Sequence, residues 1–364
     1  MKTGVIVGGT GAQRAVVVNH LSSLGLYHLK VLTRNVESSQ AQHLASLPNV
    51  ELIQSSPLGH DEESFLFAVK DADFAFINTD GTFLGFSIGE VAETYWGIRF
   101  FELAHQAGVK HYVYSSLDSI DQDVFRIGHY GGKSRVVDYM RGQTPSNRPH
   151  TMVWSAISTG PYIETLHENL APRLSHDGST YLFTYPLGSG ALAFTHLDDF
   201  ARYVEKIVSD PPSYASNELK VATAHVTGDD IAQAFTRVTG KAAQFVDIPI
   251  DTWLDAAFGH HTRGIDTPVG LQIYPHLAGS AEKLFLPLTF RENFTGFWKL
   301  WRYSRGNAGP GIVRDYAKLD AILPNRVRTV EEWMRKVDYT GEKKPVLKML
   351  NNKLGQGEEQ AAEK

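Results

Sequence analysis

The sequence predicts an α/β fold, a doubly wound parallel sheet with helices on both faces, together with a smaller α+β lobe. Short apolar runs alternate with amphipathic segments over roughly the first 155 residues, which is typical of repeated β-α units. A glycine-rich turn follows the first apolar run, where such sheets pass from a strand into a helix. The alternation ends after Gly160, and this change predicts the second lobe.

The predicted strands are short, continuous apolar runs, as expected for strands that are covered on both faces. The first of them, Val5, Ile6 and Val7, leads directly into the glycine-rich turn. The predicted strands of the sheet lie at residues 5–7, 29–33, 50–53, 74–77, 111–114 and 151–157.

The helices predicted between these strands are followed by residues that stop a helix. Gly25 and Gly108 follow two of them, and Pro48 follows a third. In the longest one, apolar residues recur at spacings of three and four, which indicates one buried face. The predicted helices lie at residues 11–24, 37–47, 62–70, 87–107 and 132–142.

The second half of the chain has a different pattern. Residues 161–195 are rich in loops, and we expect segments 181–185 and 191–194 to form a β-hairpin. Thr195, Thr227 and Thr329 each precede an acidic residue by three positions, which predicts three helix starts with capping boxes. We therefore expect a first lobe over residues 1–160, a second over 161–342 that can return elements to the first, and a disordered polar tail over 343–364.

Composition excludes several classes of protein. The chain has 364 residues and 42% apolar residues, enough for a substantial core and too many for global disorder. Lys and Arg number 35 against 40 Asp and Glu, so the net charge of −5 gives no support to chain-wide binding of nucleic acid or anionic lipid. The absence of cysteine excludes disulfides, thiolate metal sites and cysteine nucleophiles.

Hydropathy predicts a cytoplasmic protein. No apolar run approaches the ~18–20 residues that span a membrane. Gly8, Gly9 and Gly11 interrupt the first apolar run, which argues against a signal peptide. A nuclear location is also expected if the protein is a regulator.

The strongest motif is the glycine-rich turn, residues 8–11, with the helix start that follows it. Gly8 permits a tight turn, and Gly11 lets the backbone approach a diphosphate that is attracted to the helix N-terminus. Arg14 stands where dinucleotide-binding turns usually have a third glycine, so either the helix stands off from the strand or Arg14 reaches back to a phosphate. A surface turn without a ligand is the alternative. The predicted cofactor-binding residues here are Gly8, Thr10, Gly11, Ala12, Gln13 and Arg14.

The end of the second strand predicts which nicotinamide cofactor binds. An acidic residue at this position would accept hydrogen bonds from the 2′-hydroxyl of NAD, but the chain has Thr33, Arg34 and Asn35. Arg34 can pair with a 2′-phosphate through charge-assisted hydrogen bonds, which favours NADP(H). A merely solvated Arg34 is the alternative.

Polar residues close the fourth and fifth predicted strands. These are Asn78 and Thr79, and Ser115 and Ser116. The carboxyl ends of parallel strands line the ligand crevice, so we expect these side chains near the ribose or the nicotinamide. Local turn bonding is the alternative for each of them.

With these motifs the sequence resembles the NmrA-like family of atypical short-chain dehydrogenases. The resemblance covers about residues 3–340. Its members include NADP(H)-sensing regulators, reductases similar to isoflavone reductase, and fungal enzymes of secondary metabolism that reduce alkaloid imines. The motifs that carry the resemblance lie at residues 8–13, 32–35, 76–79, 111–116, 129–133 and 329–333.

The resemblance implies a role for Lys133. Typical short-chain dehydrogenases have Tyr-x-x-x-Lys, but here His129 stands four residues before Lys133, and Tyr130 three before. In the reductase branch this lysine contacts the nicotinamide ribose and assists proton transfer, so Lys133 is the predicted catalytic residue. A surface lysine at a helix start is the alternative. His129 or Tyr130 could donate a proton, or could only line the cleft.

Two residues beyond the sixth predicted strand are candidates for substrate contacts. Tyr162 is predicted to line the substrate pocket, and Glu164 to hold a cationic amine. The segment 297–303 is rich in aromatic and basic residues, which fits either base stacking or a helix packed over the cleft; the acidic net charge favours the helix.

Three functions are compatible with these residues. The first is NADPH-dependent reduction of a C=N, C=C or C=O bond in a small aromatic or heterocyclic molecule. The second is NADP(H) sensing without turnover, with a regulatory protein partner. The third is a non-redox cyclase or isomerase that retains the cofactor. We expect a small-molecule substrate, no metal, no direct nucleic-acid contact and no membrane contact, and the sequence leaves the oligomeric state open.

Overall fold

The structure, a computed structural model, describes residues 1–8, 11–57, 59–80, 88–143, 152–258, 265–270 and 287–347. Strands and helices alternate through the first part of the chain, as predicted. They are β1 (Lys2–Val7), α1 (Ala12–Ser23), β2 (Tyr27–Thr33), α2 (Ser39–Ala45), β3 (Val50–Gln54), α3 (Glu62–Val69), β4 (Phe74–Ile77), α4 (Gly89–Gln106), β5 (His111–Leu117), α5 (Gln122–Phe125), α6 (Gly128–Arg141) and β6 (Val153–Thr159).

The second part of the chain begins with a 3-10 helix (Ile163–His167) and has shorter elements. These are β7 (Arg173–Leu174), β8 (Tyr181–Thr184), β9 (Leu192–Phe194), α7 (Leu197–Ser209), α8 (Pro211–Tyr214), β10 (Asn217–Lys220), β11 (Ala224–Val226), α9 (Gly228–Thr239), β12 (Ala243–Val246), α10 (Ile250–Phe258), α11 (Phe290–Tyr303), α12 (Tyr316–Ile322) and α13 (Val330–Lys336).

One seven-stranded sheet forms the centre of the fold, in the order β10-β6-β5-β4-β1-β2-β3. Each neighbouring pair of its strands is parallel. The chain runs from β1 outward through β2 to β3, and then crosses to β4 on the other side of β1. This reversal leaves a crevice at the carboxyl ends of β1 and β4, where such sheets bind ligands. The predicted Rossmann-type α/β fold is confirmed.

The sheet is buried because alternate residues of its strands face opposite layers of helices. Val5 and Val7 of β1 belong to an apolar cluster with Phe65 of α3 and Phe100 of α4. Ile6 belongs to a second cluster, which α1 and α7 cover on the other face. The continuous apolar runs of the sequence therefore correspond to strands that are covered on both sides.

The second part of the chain returns to the sheet before it completes its own lobe. The strand β10 pairs with β6 at the edge of the sheet, and α7 packs beside α1. The other elements include two smaller sheets, β11-β9 and β12-β8-β7. They surround a separate apolar cluster that contains Trp298, Trp301 and Trp333.

The expected β-hairpin of segments 181–185 and 191–194 is wrong. The strand β8 pairs with β7 and β12, whereas β9 pairs with β11. The two segments therefore belong to different sheets, and residues 186–190 connect those sheets rather than forming a hairpin turn.

Two of the predicted capping boxes lie at the expected threonines. Thr227 and Asp230 form both hydrogen bonds of the box at the start of α9. Thr329 accepts a hydrogen bond from the Glu332 backbone N–H at the start of α13. The Glu332 carboxylate accepts from the Arg328 backbone instead of completing the box.

The third predicted box, at Thr195, is wrong. His196 is the residue before α7, and its side chain does not cap the helix. The Oε1 atom of Glu164 accepts a hydrogen bond from the Leu197 backbone N–H at 2.9 Å, so a distant carboxylate caps α7.

The boundaries around two candidate site residues also differ from the prediction. The helix α6 begins at Gly128 rather than at residue 132, so Lys133 lies in the second turn and not at the helix start. The strand β5 continues to Leu117, which places Ser115 and Ser116 inside the strand. The predicted tail lies outside the described residues from position 348 onward.

The end of the described chain binds a buried glutamate. Glu168 follows the 3-10 helix, and its Oε2 atom accepts a hydrogen bond from the Leu347 backbone N–H at 3.1 Å. Nearby, the His167 carbonyl accepts from the Lys344 backbone N–H at 2.8 Å. Burial raises the pKa of Glu168 to about 7. The buried carboxyl therefore keeps its proton at a pH where it would lose it in the unfolded chain.

This raised pKa predicts a pH-dependent stability. The unfolded chain releases the Glu168 proton near the ordinary value of 4.5, and the folded chain releases it at about 7. Between these values the folded state binds more protons, so the free energy of unfolding falls as the pH rises, by at most about 3 kcal/mol. Glu168→Gln should remove most of this fall in urea titrations between about pH 5 and about pH 8. An unchanged pH dependence would contradict the assignment, and Glu63→Gln, at an exposed glutamate, is the control.

Candidate functional site

The candidate site lies at the carboxyl ends of β1, β4 and β5, between the start of α1 and the second turn of α6. The turn after β1 is tight. Gly8 has φ +76°, its N–H donates to the Leu32 carbonyl at 2.9 Å, and its own carbonyl accepts from Gly11 N–H at 3.2 Å. Among the described residues no side chain caps α1, which starts at Ala12, so its first turn has N–H groups that can donate to an anion. The predicted Thr10, and Gly9 beside it, lie outside the described residues.

The Arg14 side chain folds back over this turn. A Cβ atom on Gly8 would lie 2.3 Å from its Nη1 atom, and one on Gly11 would lie 2.4 Å from its Nη2 atom. Nη1 donates to the Asn78 carbonyl at 2.6 Å. Of the two sequence-based interpretations of Arg14, this placement agrees with the side chain reaching back over the turn. A side chain at either glycine would displace the guanidinium from the turn, and at Gly8 the positive φ also favours glycine.

Arg14 has an N–H group that is free to donate to an anion. Its side chain is buried, and its Nε atom has no hydrogen-bond partner among the described residues. Burial lowers the pKa of Arg14, and the nearby Arg34 charge acts in the same direction, whereas Asp80 opposes both. A buried guanidinium with an unsatisfied N–H is costly unless a ligand satisfies it. A phosphate group at the turn would do so.

Arg34 follows the last residue of β2. Thr33 is buried, Arg34 is half-buried, and Asn35 is exposed. The aliphatic stem of Arg34 crosses Gly59, where a Cβ atom would lie 2.9 Å from its Cγ. The Asn35 side chain accepts from the Glu37 backbone N–H, which is a local turn contact. Within the described ranges Arg34 has no carboxylate at ion-pair distance, so its charge is available to a ligand.

Polar side chains from three elements form one network behind the turn. Gln13 of α1 is buried, and its Oε1 atom accepts from Asn78 Nδ2 and, at 2.7 Å, from Ser115 Oγ. Thr79 is also buried. Ser116 donates to the Leu117 carbonyl at 3.2 Å and takes no part in this network. The structure therefore brings Gln13, Asn78 and Ser115 together.

Lys133 completes the network from α6. Its Nζ atom donates to Asn78 Oδ1 at 3.0 Å and to the Thr79 carbonyl at 2.9 Å. It lies 3.1 Å from Oε1 of Glu93 and 5.6 Å from the centre of the Tyr114 ring. The side chain is only 12% exposed, so Lys133 is not a surface lysine.

Glu93 also belongs to this site, although no motif in the sequence predicts it. It lies on α4 and is fully buried, and its Oε1 atom also accepts from Thr79 Oγ1 at 3.1 Å. Burial raises the pKa of Glu93, and the Lys133 charge opposes the rise. The signal in the sequence was its spacing: Glu93 occupies a helix face that is otherwise apolar or small, with Gly89, Gly97 and Phe100.

Unlike Lys133, the side chains of His129 and Tyr130 lie outside the polar network behind the turn. Burial lowers the pKa of His129 to about 4, and the Lys133 charge acts in the same direction, so the ring is neutral at pH 7. Its Nδ1 atom lies 3.0 Å from Oδ1 of Asn293. Tyr130 is buried in the apolar cluster of the second lobe, and this burial raises the pKa of its hydroxyl. At pH 7 the neutral His129 ring has no imidazolium proton to donate, and Tyr130 lies in the apolar cluster, outside the polar network of Lys133.

Each of the two predicted substrate residues has a polar side-chain atom without a partner among the described residues. The Tyr162 hydroxyl has no hydrogen-bond partner within the part of the chain that the structure describes, and burial raises its pKa to about 12. The Arg14 charge acts against this rise. Glu164 Oε1 accepts from His196 Nδ1 at 2.6 Å besides capping α7, whereas its Oε2 atom has no partner among the described residues, so its contact with a cationic amine stays a prediction.

The aromatic helix α11 borders the site next to His129. The His129 ring stacks on Phe294 at 5.6 Å and lies 6.1 Å from Phe297. Trp298 and Trp301 of the same helix are fully buried in the second lobe. The segment 297–303 therefore packs as a helix beside the cleft, as the acidic net charge favours. Among the described residues, no helix is long and apolar enough to cross a bilayer.

Comparisons with known proteins agree with this geometry. A family model described as the NmrA-like family matches residues 1–279. The NmrA-like family domain-containing oxidoreductase malD of Malbranchea aurantiaca is 28% identical over 262 residues, which cover 68% of this chain and 77% of that protein.

Two solved structures share the fold. NmrA, a negative transcriptional regulator in complex with NAD, superposes with a TM-score of 0.68 at 19% identity, covering 92% of this chain and 95% of that one. The triphenylmethane reductase of Citrobacter sp., complexed with NADP(H), has a TM-score of 0.61 at 16% identity, with 93% and 99% covered. One of these proteins is a regulator and the other a reductase, so the shared fold does not choose between the two functions.

Proposed function

The chain belongs to the NmrA-like family, and from this membership and the geometry of the site we propose that it is an NADPH-dependent oxidoreductase. Its substrate is a small aromatic or heterocyclic molecule in which a C=N, C=C or C=O bond is reduced. The observation that carries the proposal is the pair of guanidinium groups beside the glycine-rich turn. Arg14 and Arg34 repel each other, and neither has a carboxylate at ion-pair distance in the described ranges.

The two guanidinium groups match the two anionic parts of NADPH. Arg14 and the first turn of α1 are placed to bind the diphosphate, which all nicotinamide dinucleotides share. Arg34 is placed to bind the 2′-phosphate, which NADH lacks. Asn78, Thr79 and Ser115 lie further along the same crevice, where the ribose and nicotinamide follow.

Reduction needs a hydride, an oriented substrate and a proton. NADPH supplies the hydride when it is bound. Lys133 donates hydrogen bonds from the floor of the crevice, and its contact with the Asn78 side chain is the one that a bound ligand can replace. The Tyr162 hydroxyl is proposed to face the substrate and to deliver the proton, because it is the predicted site tyrosine without a partner in the described chain.

The ring surfaces beside Lys133 favour a flat substrate. His129, Phe294 and Phe297 present neighbouring ring faces, and His129 is neutral at pH 7. Offset stacking on such faces stabilises an aromatic ligand by about 0.5–1.5 kcal/mol beyond its apolar burial. This wall supports an aromatic or heterocyclic substrate class.

A sensing function without turnover is the second candidate, and one observation favours it. The tyrosine of the usual Tyr-x-x-x-Lys pattern is replaced by His129, whose low pKa leaves the ring without an imidazolium proton to donate at neutral pH. If Tyr162 is also inert, NADP(H) would bind without reacting, and a protein partner would respond to the bound state.

A substrate panel separates these functions. Purified protein is incubated with NADPH and a set of aromatic imines, enones and aldehydes, and NADPH consumption is followed by absorbance. Consumption with one of these bond types supports the reductase. Tight NADPH binding without consumption supports the sensor, and conversion of a compound without consumption of NADPH supports a cyclase or isomerase.

Removal of the Arg34 guanidinium should change cofactor selectivity. Arg34→Ala is expected to weaken NADPH binding by about tenfold or more, because a charge-assisted contact to phosphate contributes about 1.5–3 kcal/mol. NADH binding should stay within about twofold, since NADH has no 2′-phosphate. Fluorescence titration with both cofactors measures the two affinities. An equal loss for both would contradict the role of Arg34.

A further inference from the structure

The ammonium group of Lys133 lies among several acceptors, of which three are within about 3.1 Å. A lysine ammonium has three N–H groups. Nζ lies 2.9 Å from the Thr79 carbonyl, 3.0 Å from Asn78 Oδ1 and 3.1 Å from Glu93 Oε1. Glu93 brings the only full negative charge among these three acceptors.

Glu93 lies behind the ammonium and away from solvent. The side chain is fully buried, and its Oε2 atom has no hydrogen-bond partner among the residues that the structure describes. Gly132 leaves room for that oxygen, since a Cβ atom there would lie 3.1 Å from it. A buried carboxylate costs several kcal/mol unless a cation compensates it, so the placement of Glu93 depends on Lys133.

The other groups around Glu93 do not replace Lys133 as its partner. Thr79 Oγ1 donates to Oε1 and is itself 2.9 Å from the Tyr114 hydroxyl. Asp80 is a second negative charge that acts on Glu93. Arg14 senses the Glu93 charge but donates to the Asn78 carbonyl instead. Lys133 is therefore the cation that balances Glu93.

The two side chains nearest to the Lys133 ammonium, Asn78 and Glu93, differ in burial and in charge. Asn78 is half-buried at the edge of the cofactor crevice, and its amide is neutral, with Nδ2 donating to Gln13. Glu93 is fixed within the α4–α6 interface. A ligand hydroxyl that enters the crevice would therefore compete with the neutral Asn78 oxygen for Lys133, and not with the buried Glu93 carboxylate.

We propose that Glu93 is the positioning residue of this site: it pairs with the Lys133 ammonium and directs it at the crevice, so that Lys133 acts as a hydrogen-bond donor. The inference rests on the proposed function only for the identity of the ligand that Lys133 contacts. The Glu93–Lys133 pair itself exists without a cofactor, so it can be tested without one.

The test compares Glu93→Gln, which removes the charge, with Glu93→Asp, which keeps it. Glu102→Gln is the matched control, because Glu102 is also on α4 and accepts a hydrogen bond from Tyr139 of α6 at 2.6 Å. Lys133 reactivity is measured by labelling with pyridoxal phosphate and borohydride at about pH 8, since only the uncharged amine reacts. Mass spectrometry then quantifies the label in the tryptic peptide of residues 127–135, in which Lys133 is the sole lysine.

The labelling rate is expected to follow the charge at position 93. In Glu93→Gln, Lys133 should react about tenfold faster or more than in the wild type, because an opposite charge at this distance favours the charged amine by at least that factor. Glu93→Asp and Glu102→Gln should stay within about threefold of the wild type. With NADPH and a reactive substrate, Glu93→Gln should lower kcat much more than it changes KM, and Glu93→Asp should recover part of the loss.

Several outcomes would overturn the proposal. Equal labelling of Glu93→Gln and the wild type, or equal labelling of the Gln and Asp variants, contradicts the role of the charge. If Glu93→Gln does not fold, the double variant Glu93→Gln, Lys133→Met removes both charges and is expected to fold; its failure would also contradict the pairing. Absence of NADPH binding in the wild type would overturn the proposed function but leave the labelling comparison valid.

Discussion

Lys133→Ala is expected to reduce both stability and turnover. The substitution leaves the Glu93 carboxylate buried without its cation, which typically costs about 3–5 kcal/mol of the free energy of unfolding. Turnover should fall by about a hundredfold or more, because the donor in the crevice is lost. Urea titration and NADPH consumption measure the two effects.

A surface lysine provides the control for Lys133. Lys110 pairs with Asp73 and is 77% exposed, so Lys110→Ala should change the free energy of unfolding by less than about 1 kcal/mol. Adding Glu93→Gln to Lys133→Ala should recover much of the stability but none of the turnover. Wild-type stability for Lys133→Ala would show that Glu93 is not charged in the folded protein, and unchanged turnover would remove the catalytic role.

Arg14→Ala is expected to weaken both cofactors. Its guanidinium lies against the glycines of the turn, where the diphosphate of either nicotinamide dinucleotide would bind. Loss of one or two charge-assisted hydrogen bonds should weaken NADPH and NADH alike, by about tenfold to a hundredfold. This pattern differs from that of Arg34→Ala, which affects NADPH alone.

Calorimetric titration of the Arg14 variant with both cofactors measures these losses. Arg99→Ala is the control, since Arg99 pairs with Glu62 on the surface. A loss confined to NADPH would show that Arg14 contacts the 2′-phosphate rather than the diphosphate. Unchanged affinity for both cofactors would show that Arg14 only supports the turn.

The elements of the main sheet could be predicted because their signals are local. A short apolar run between stop residues, such as 74–77, is enough to mark a buried parallel strand. The pairing of β8 and β9 could not be predicted, since their partners β12 and β11 lie far along the chain. Nothing within segments 181–185 and 191–194 distinguishes a hairpin from two strands of separate sheets.

Two predicted helix starts near the site were wrong for the same physical reason, which is a contact between residues far apart in the sequence. Thr195 has the spacing of a capping box, but the Glu164 carboxylate reaches α7 from the 3-10 helix and caps it. The helix α6 starts early although Gly128 and Gly131 are weak helix formers, and the Glu90 side chain packs against both. Neither contact is visible in the local sequence.

The site residues that belong to a recognisable sequence motif could be predicted. The glycine-rich turn, Arg34 and Lys133 stand at positions that the pattern defines, and the structure brings Gln13, Asn78 and Lys133 into one network. Glu93 was not predictable as a partner of Lys133, because only the packing of α4 on α6 brings the two side chains together. The spacing of Glu93 among the apolar and small residues of α4 predicts that it is buried, but burial alone does not show which cation pairs with it.

The central claim is that the start of α1 binds a dinucleotide diphosphate and that Arg34 binds the additional phosphate. Isothermal titration of nucleotide-free protein with NADPH, NADH and ADP-ribose tests it most directly. We predict that all three bind and that NADPH binds about tenfold or more tightly than NADH. Absence of measurable heat and of any thermal shift with every one of these ligands would contradict the claim.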